Sequence, residues 1–239
     1  YLSGLDPRQH HHDLPLRVDD SYQFKDGTPF SYDSPLYNPD NLGENRDPRL
    51  DYTIYYNGST FKGAVYDCHP DSQSPDKVMG GQTTQTGFMM RKYFDETFSG
   101  DLNSYGGNVP VIRYAEVLLT YAEAQNEASG PDQSVYDAIN QLRRRPDINM
   151  PEVPKGLTKD QMREVIRRER RIELTFEGLY YSDILRWKTA EKENNGMMHN
   201  YEGIEVVKRS FNPKRDYLWP IPYNQTVLNP NLEQNPNWD

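Results

Sequence analysis

The sequence contains a single cysteine, Cys68, and no long apolar run. One cysteine excludes an internal disulfide and any metal site built from several thiolates. No stretch approaches the ~18 consecutive apolar residues of a membrane-spanning helix, and the first residues do not form a signal peptide. Basic charge is also scarce, because 36 Asp and Glu outnumber 27 Lys and Arg and leave a formal net charge of -9. That balance opposes binding to phosphate backbones, so we expect no nucleic-acid partner.

Motifs of the common enzyme classes are also missing. The sequence has no nucleophile elbow, P-loop, dinucleotide fingerprint or zinc-protease motif. Three consecutive histidines, His10-His11-His12, point in different directions on ordered backbone, and no acidic cluster accompanies them at ligand spacing. We therefore expect no metal site and no organic cofactor, although calcium held by loop aspartates stays open.

Two carboxylates on one predicted helix, Glu169 and Glu173, could suggest the acid and base of a glycosidase, which stand ~5–10 Å apart. Their neighbours Arg170 and Arg171 favour ionised carboxylates and oppose a raised pKa on either one. We interpret both glutamates as structural charges satisfied by arginine.

Aromatic residues are abundant, and most of them lie in the first half of the chain. Residues 1–108 hold ten of the 18 tyrosines and six of the eight phenylalanines, among frequent Gly, Pro, Asn and Asp turn signals. This composition predicts a loop-rich segment. Within it we predict a short helix over Leu14–Phe24, a β-hairpin over Tyr52–Phe61 that turns at Asn57-Gly58, and a strand in residues 87–94.

Helical periodicity begins after Pro110. A first helix ends near Gly130, and a second begins after Asp132 and stops before Pro146. A third helix is predicted to start at Thr158, with Gln161 as the capping-box partner.

The segment Met162–Trp187 carries the strongest pattern. Apolar residues recur on one helical face, and five arginines and four glutamates occupy most of the other positions from Met162 to Glu177. Gly178 can end one helix and admit the next. We therefore predict a helix–turn–helix in which Phe176 is buried.

The last segment, residues 191–239, is predicted to be irregular. Residues 193–199 are polar, and four prolines between Pro220 and Pro236 leave no room for a long helix. We expect extended chain packed over the helices, with Trp219 and Trp238 as anchors.

Several of these segments carry a family resemblance. Three of them, LPLRVDDSYQFKDG, YNPDNLGENRDPRLDYTIYYNG and TGFMMRKYF, occur in the family's order. The other two are RRERRIELTFEGLYYSDILRW and YLWPIPYNQTVLNPNLEQNPNW. Together they resemble the SusD/RagB family of outer-membrane nutrient-binding lipoproteins, over about 225 of the 239 residues.

The resemblance implies a mainly α fold of SusD-like, tetratricopeptide-type helix hairpins, with one short β-hairpin. Residues 1–108 would form a loop-rich, ligand-facing segment, 109–190 the helical hairpins and 191–239 an irregular tail over the helices. All three would belong to one domain that lacks its amino-terminal part. The 48 residues from Tyr114 to Met162 exceed the ~34 of a strict repeat, so an insertion must loop out.

The resemblance also implies a function, namely non-catalytic capture of a glycan at the extracellular face of the outer membrane. Delivery would be to a SusC-like TonB-dependent transporter. The anchor would be a lipidated amino-terminal cysteine that this chain lacks, since Cys68 follows no apolar segment. Two alternatives stay open: a secreted glycan-active enzyme with loop carboxylates, and a peptide-binding relative of the same family.

For the ligand site, a saccharide needs exposed aromatic rings beside hydrogen-bonding groups. We predict Tyr32, Tyr37 and Tyr66 as stacking platforms, and Asp67 and His69 as hydrogen-bonding partners for hydroxyls. The alternative for each tyrosine is a half-buried packing role.

Overall fold

The computed structural model describes residues 19–78, 84–101, 104–108 and 110–238. In these ranges the protein is mainly helical, with seven α-helices and six short strands. The helices are α1 (Arg49–Thr53), α2 (Tyr114–Ser129), α3 (Gln133–Arg143), α4 (Lys159–Glu173), α5 (Tyr180–Arg186), α6 (Ala190–Glu193) and α7 (Tyr223–Leu228). The strands are β1 (Ile54–Tyr55), β2 (Thr60–Phe61), β3 (Ala64–Val65), β4 (Met89–Met90), β5 (Gly196–His199) and β6 (Glu205–Arg209).

Three helices form the frame of the molecule, because α2 packs against both α3 and α4. Their apolar residues recur at three- and four-residue steps and so share one face of each helix. The resulting core contains Ala122, Val135, Tyr136, Ala138, Ile139, Val153, Met162 and Ile166. The helical pattern read from the sequence is confirmed here.

The predicted helix boundaries are also confirmed. Asp132 caps α3 by accepting the backbone N–H groups of Ser134 and Val135, and Thr158 and Gln161 form the capping box of α4. Each cap satisfies N–H groups that the first turn of a helix cannot pair internally. Gly130 ends α2 with a φ of 85°.

The connection from α4 to α5 differs from the prediction at one residue. Gly178 has a φ of 77° and separates the two helices as expected, but α4 already ends at Glu173. Phe176 therefore lies past the end of the helix, where the helical spacing no longer decides which side chains face the core. It has a φ of 64° and is 46% exposed. The expectation that Phe176 is buried is wrong; Leu174, 3% exposed, fills the core instead.

The predicted hairpin over Tyr52–Phe61 is wrong in its pairing. Tyr52 belongs to α1, and β1 pairs antiparallel with β4, more than thirty residues later. β4 confirms the strand expected in 87–94. The hairpin that forms joins β2 to β3 through Lys62 and Gly63, both with positive φ, as two-residue hairpin turns require.

The Asn57-Gly58 pair makes a corner rather than a hairpin. Gly58 has a φ of 87°, and the side-chain oxygen of Asn57 accepts the backbone N–H of Cys68 at 3.0 Å. The corner turns the chain from β1 toward β2.

The short helix predicted over Leu14–Phe24 is not found in its described part. Only a three-residue 3-10 turn, Asp19–Ser21, is present, and residues 14–18 lie outside the described ranges. Tyr22 and Phe24 are both fully buried. Phe24 forms an isolated antiparallel bridge with Arg46, so this segment pairs as extended chain.

The carboxy-terminal segment is more regular than predicted. The polar residues before Asn200 include β5, which pairs with β6. Helix α7 is short, as its flanking prolines Pro222 and Pro230 require. Trp219 is 70% exposed and so is not an anchor, whereas Trp238 donates its indole N–H to the carbonyl of Leu218 at 2.9 Å.

Candidate functional site

The two glutamates first weighed as a catalytic pair lie in a buried network of arginines. Arg49 contacts Glu169 at 2.5 Å and Glu173 at 3.0 Å, and Arg143 contacts Glu169 at 2.9 Å. Their structural role was expected, but the partner arginines come from α1 and α3 rather than from the adjacent positions in α4.

The pKa of Glu173 reports on that environment. Burial raises it, but the charges of Arg49, Arg145 and Arg113 and a hydrogen bond from Arg113 outweigh burial and lower the pKa to about 2. A carboxyl group this acidic cannot donate a proton near neutral pH, as the acid of a glycosidase must.

The five residues proposed from the sequence fall in two places. Tyr32 and Tyr37 form an aromatic cluster with Phe30, with ring centroids 4.7 to 5.7 Å apart. Both tyrosines are half-buried. Arg46 covers the ring of Phe30, its guanidinium carbon 3.5 Å from the ring centroid, and Tyr32 donates its hydroxyl hydrogen to Asp20 at 3.2 Å.

Asp67 and Tyr66 lie at a second place, which we call the polar cavity. It has a volume of about 580 Å³ and is lined by Asn57, Gly58, Val65, Tyr66, Asp67, Ser72, Gln73 and Ser74. Asp67 accepts the hydroxyl hydrogen of Ser72 at 2.5 Å and the backbone N–H of His69 at 3.1 Å. These bonds, that of Ser72 first, lower the pKa of Asp67, so its carboxylate is an acceptor.

His69 lies beside this cavity rather than in its wall. Its side chain is 47% exposed, and its Nε2 stands 3.5 Å from a carboxylate oxygen of Glu202. It can therefore present a polar group to a ligand that extends over the rim.

Burial excludes the stacking role predicted for Tyr66. Its side chain is 4% exposed and packs with Tyr55, Cys68 and Val78. Its hydroxyl donates to the carbonyl of Gly87 at 3.1 Å. Tyr66 therefore supports the wall of the polar cavity and offers no ring face to a sugar.

A third feature was missed by the sequence analysis, and we call it the arginine-lined cavity. It measures about 670 Å³ and lies between the chain after Asp19, the outer face of α4, and α5 and α6. Its lining consists of Asp20, Ser21, Gln23, Pro29, Phe30, Glu164, Arg167, Arg168, Arg171, Tyr180, Trp187, Thr189, Lys192 and Glu193. The available signal was the excess of arginine over glutamate in α4, which the sequence analysis assigned to structure alone. Through Phe30 and Asp20 this cavity borders the aromatic cluster of Tyr32 and Tyr37.

Comparison with known proteins places the chain in a family. The SusD family model matches residues 11–238. The chain belongs to the SusD family. Arg49 of the loop segment pairs with Glu169 of α4, and Arg170 of α4 pairs with Asp183 of α5.

Individual relatives agree with this assignment. A SusD-like carbohydrate binding protein from Bacteroides fragilis is 44% identical, with a TM-score of 0.84 over 90% of this chain and 47% of that one. A second SusD-like protein from the same species is 26% identical, with a TM-score of 0.72. SusD-like protein P2 of Formosa agariphila is 36% identical over 52% of this chain and 24% of its own length. The chain thus spans less than half the length of these relatives.

Two kinds of feature are not found in the part of the chain that the structure describes. No group of three or more His, Cys, Asp or Glu residues stands close enough to hold a metal ion; His10-His11-His12 lie outside these residues. Likewise, none of the described helices has the length and apolar composition to cross a bilayer.

Proposed function

We propose that this SusD-family chain binds a glycan without cleaving it, at the extracellular face of the outer membrane, and delivers it to a SusC-like TonB-dependent transporter. The observation that carries the proposal is the 44% identity, over 90% of this chain, to a solved SusD-like carbohydrate binding protein. Because the chain covers only 47% of that relative, other parts of a longer protein are expected to share in binding, membrane attachment and transporter contact.

The polar cavity is the first proposed binding surface. Amide, hydroxyl and carboxylate groups of Asn57, Asp67, Ser72 and Gln73 converge on a space of about 580 Å³, within the roughly 300–1,000 Å³ of ordinary ligand pockets. The ionised Asp67 accepts hydrogen bonds from sugar hydroxyls, and such charge-assisted bonds are the stronger ones. His69 adds a polar group at the rim.

The aromatic cluster is the second proposed binding surface. Tyr32 and Tyr37 are half-buried, so each is held in place by its neighbours while part of its ring stays accessible. A fixed ring is a good platform for the apolar face of a sugar, because little side-chain entropy is lost on binding.

Alanine variants test this site. Tyr32→Ala, Tyr37→Ala and Asp67→Ala should each weaken binding of the preferred oligosaccharide several-fold in isothermal titration, while the melting temperature moves little. Tyr52→Ala is the matched control, since Tyr52 is 53% exposed and lines neither cavity. Tyr66→Ala should instead lower the melting temperature. Normal binding by all three site variants would place the site elsewhere.

Delivery to a transporter has a separate test. Co-purification of the tagged full-length protein from outer membranes should recover a TonB-dependent transporter in stoichiometric amounts. Recovery of the protein alone, from the soluble fraction, would contradict both the partner and the location.

A further inference from the structure

The arginine-lined cavity has a charge arrangement that the proposed sugar site does not use. Four basic residues and three acidic residues line it: Arg167, Arg168, Arg171, Lys192, Asp20, Glu164 and Glu193. The lining therefore carries one positive charge in excess. The volume of the cavity, about 670 Å³, lies within the usual range of ligand pockets and suits one or two sugar rings.

Two of the arginines are already paired. Arg167 lies 3.3 Å from the carboxylate of Glu164, and Arg171 lies 3.2 Å from that of Glu193. Among the described residues, Arg168 and Lys192 are the basic groups of the lining with no carboxylate at ion-pair distance. Asp20, the third acid, accepts the hydroxyl hydrogen of Tyr32.

Arg168 differs from its neighbours in having no carboxylate at ion-pair distance among the described residues. Arg168 is half-buried, and burial lowers the pKa of Arg168 more than the charge of Glu169 raises it. A partly desolvated cation without a counter-ion is unfavourable. An anionic group bound in the cavity would remove that penalty and accept hydrogen bonds from the guanidinium fork.

The apolar part of the wall fits a sugar ring. Phe30, Tyr180 and Trp187 line the cavity. An arginine covers one face of each ring: Arg46, Arg171 and Arg167 respectively. The remaining ring surface can contact the C–H groups of a sugar. A bare inorganic anion would leave this aromatic surface without a contact. The net charge of -9 does not attract an anion from a distance. An anionic ligand must therefore be selected by the residues of the cavity itself.

We propose that the arginine-lined cavity binds the acidic group of a charged sugar, a carboxylate or a sulfate, with Arg168 as its main ligand. The inference rests on the proposed glycan-binding function and narrows it to acidic glycans.

Isothermal titration with three probes tests it: a galacturonate tetrasaccharide, a sulfated carrageenan tetrasaccharide and a neutral galactose tetrasaccharide. We expect at least one acidic probe to bind about tenfold more tightly than the neutral one, the gain typical of a hydrogen-bonded charge. The two acidic probes distinguish carboxylate from sulfate recognition. Sodium sulfate is the fourth titrant, and equal affinity for it would contradict a sugar site.

Two variants assign the effect to the cavity. Arg168→Gln should abolish the preference for the acidic probe, whereas Arg144→Gln, the same charge change at a side chain that is 53% exposed and outside the cavity, should keep it. Lys192→Glu changes an exposed residue of the lining. It should weaken binding of the acidic probe and leave binding of the neutral probe unchanged. This variant decides the question if Arg168→Gln does not fold.

The outcomes separate this inference from the function on which it rests. If the neutral probe binds and the acidic ones bind no better, or if Arg168→Gln keeps the acidic preference, the inference is wrong while glycan binding stands. If no saccharide binds at all, including larger neutral glycans, the proposed function is wrong as well.

Discussion

At the scale of single residues, the exposure of Phe176 is explained by its position beyond the end of a helix, although its side chain is hydrophobic. Phe176 follows the apolar period of α4, but the helix stops at Glu173, and Phe176 takes a φ of 64° with 46% of its side chain exposed. A left-handed φ is unfavourable for a bulky residue. Such a residue contributes little to the core of this chain.

We therefore predict that Phe176→Gly changes the free energy of unfolding by less than about 1 kcal/mol, because glycine accepts positive φ without strain. Ile166→Ala, at a side chain that is 1% exposed, should cost about 2–5 kcal/mol. Urea unfolding of the two variants measures both values. A cost above that of Ile166→Ala would show that Phe176 is a core residue after all.

Glu173 gives the second prediction at this scale, through its pKa of about 2 against an ordinary 4.5. A carboxyl group whose pKa is depressed by folding contributes stability above its unfolded pKa and loses it as pH falls through the folded value. Unfolding free energy should therefore decline between about pH 4.5 and 2. Unfolding by urea at a series of pH values measures this dependence.

Glu173→Gln should flatten that decline and cost about 3–5 kcal/mol at neutral pH, because Arg49 and Arg113 would lose a buried counter-charge. Glu152→Gln is the control, since Glu152 pairs with Arg144 where both side chains are 53% exposed. An unchanged pH profile in Glu173→Gln would contradict the depressed pKa.

At the scale of elements, helices are read from the sequence because their determinants are local. The apolar period of α2, α3 and α4 and the caps at Asp132 and Thr158 involve residues at most four positions apart. Strand pairing has no such signal. β1 takes its partner from residues 89–90, and the strong Asn57-Gly58 pair competes with the Lys62-Gly63 turn that is used.

The capping box of α4 yields the prediction for this scale. Thr158→Ala removes the side-chain acceptor for the backbone N–H of Gln161, and should cost about 1 kcal/mol of unfolding free energy. Ser129→Ala, at the exposed last residue of α2, should cost no more than a few tenths. Thermal unfolding of both variants compares them, and equal melting temperatures would mean that the cap does not stabilise the fold.

At the scale of the whole molecule, the loop segment is joined to the helical frame by apolar and charged contacts together. Tyr22, Leu50, Ile54 and Tyr56 pack around Ile172 of α4, and Arg49 reaches Glu169 across 120 positions of sequence. The loop segment and the helices can each be predicted from the sequence, but the contacts between them cannot. The arginine-lined cavity was missed for the same reason, since its wall comes from segments distant in sequence.

The central claim is that the chain binds glycan and does not cleave it. Its most direct test is titration of the chain with soluble oligosaccharides derived from starch, pectin, xylan, mannan and galactan, with reducing ends assayed in the same samples. We predict saturable binding to at least one of them, weakened several-fold in Asp67→Ala, with no rise in reducing ends over hours. Release of reducing ends, or no binding to any member of the panel, would contradict the account.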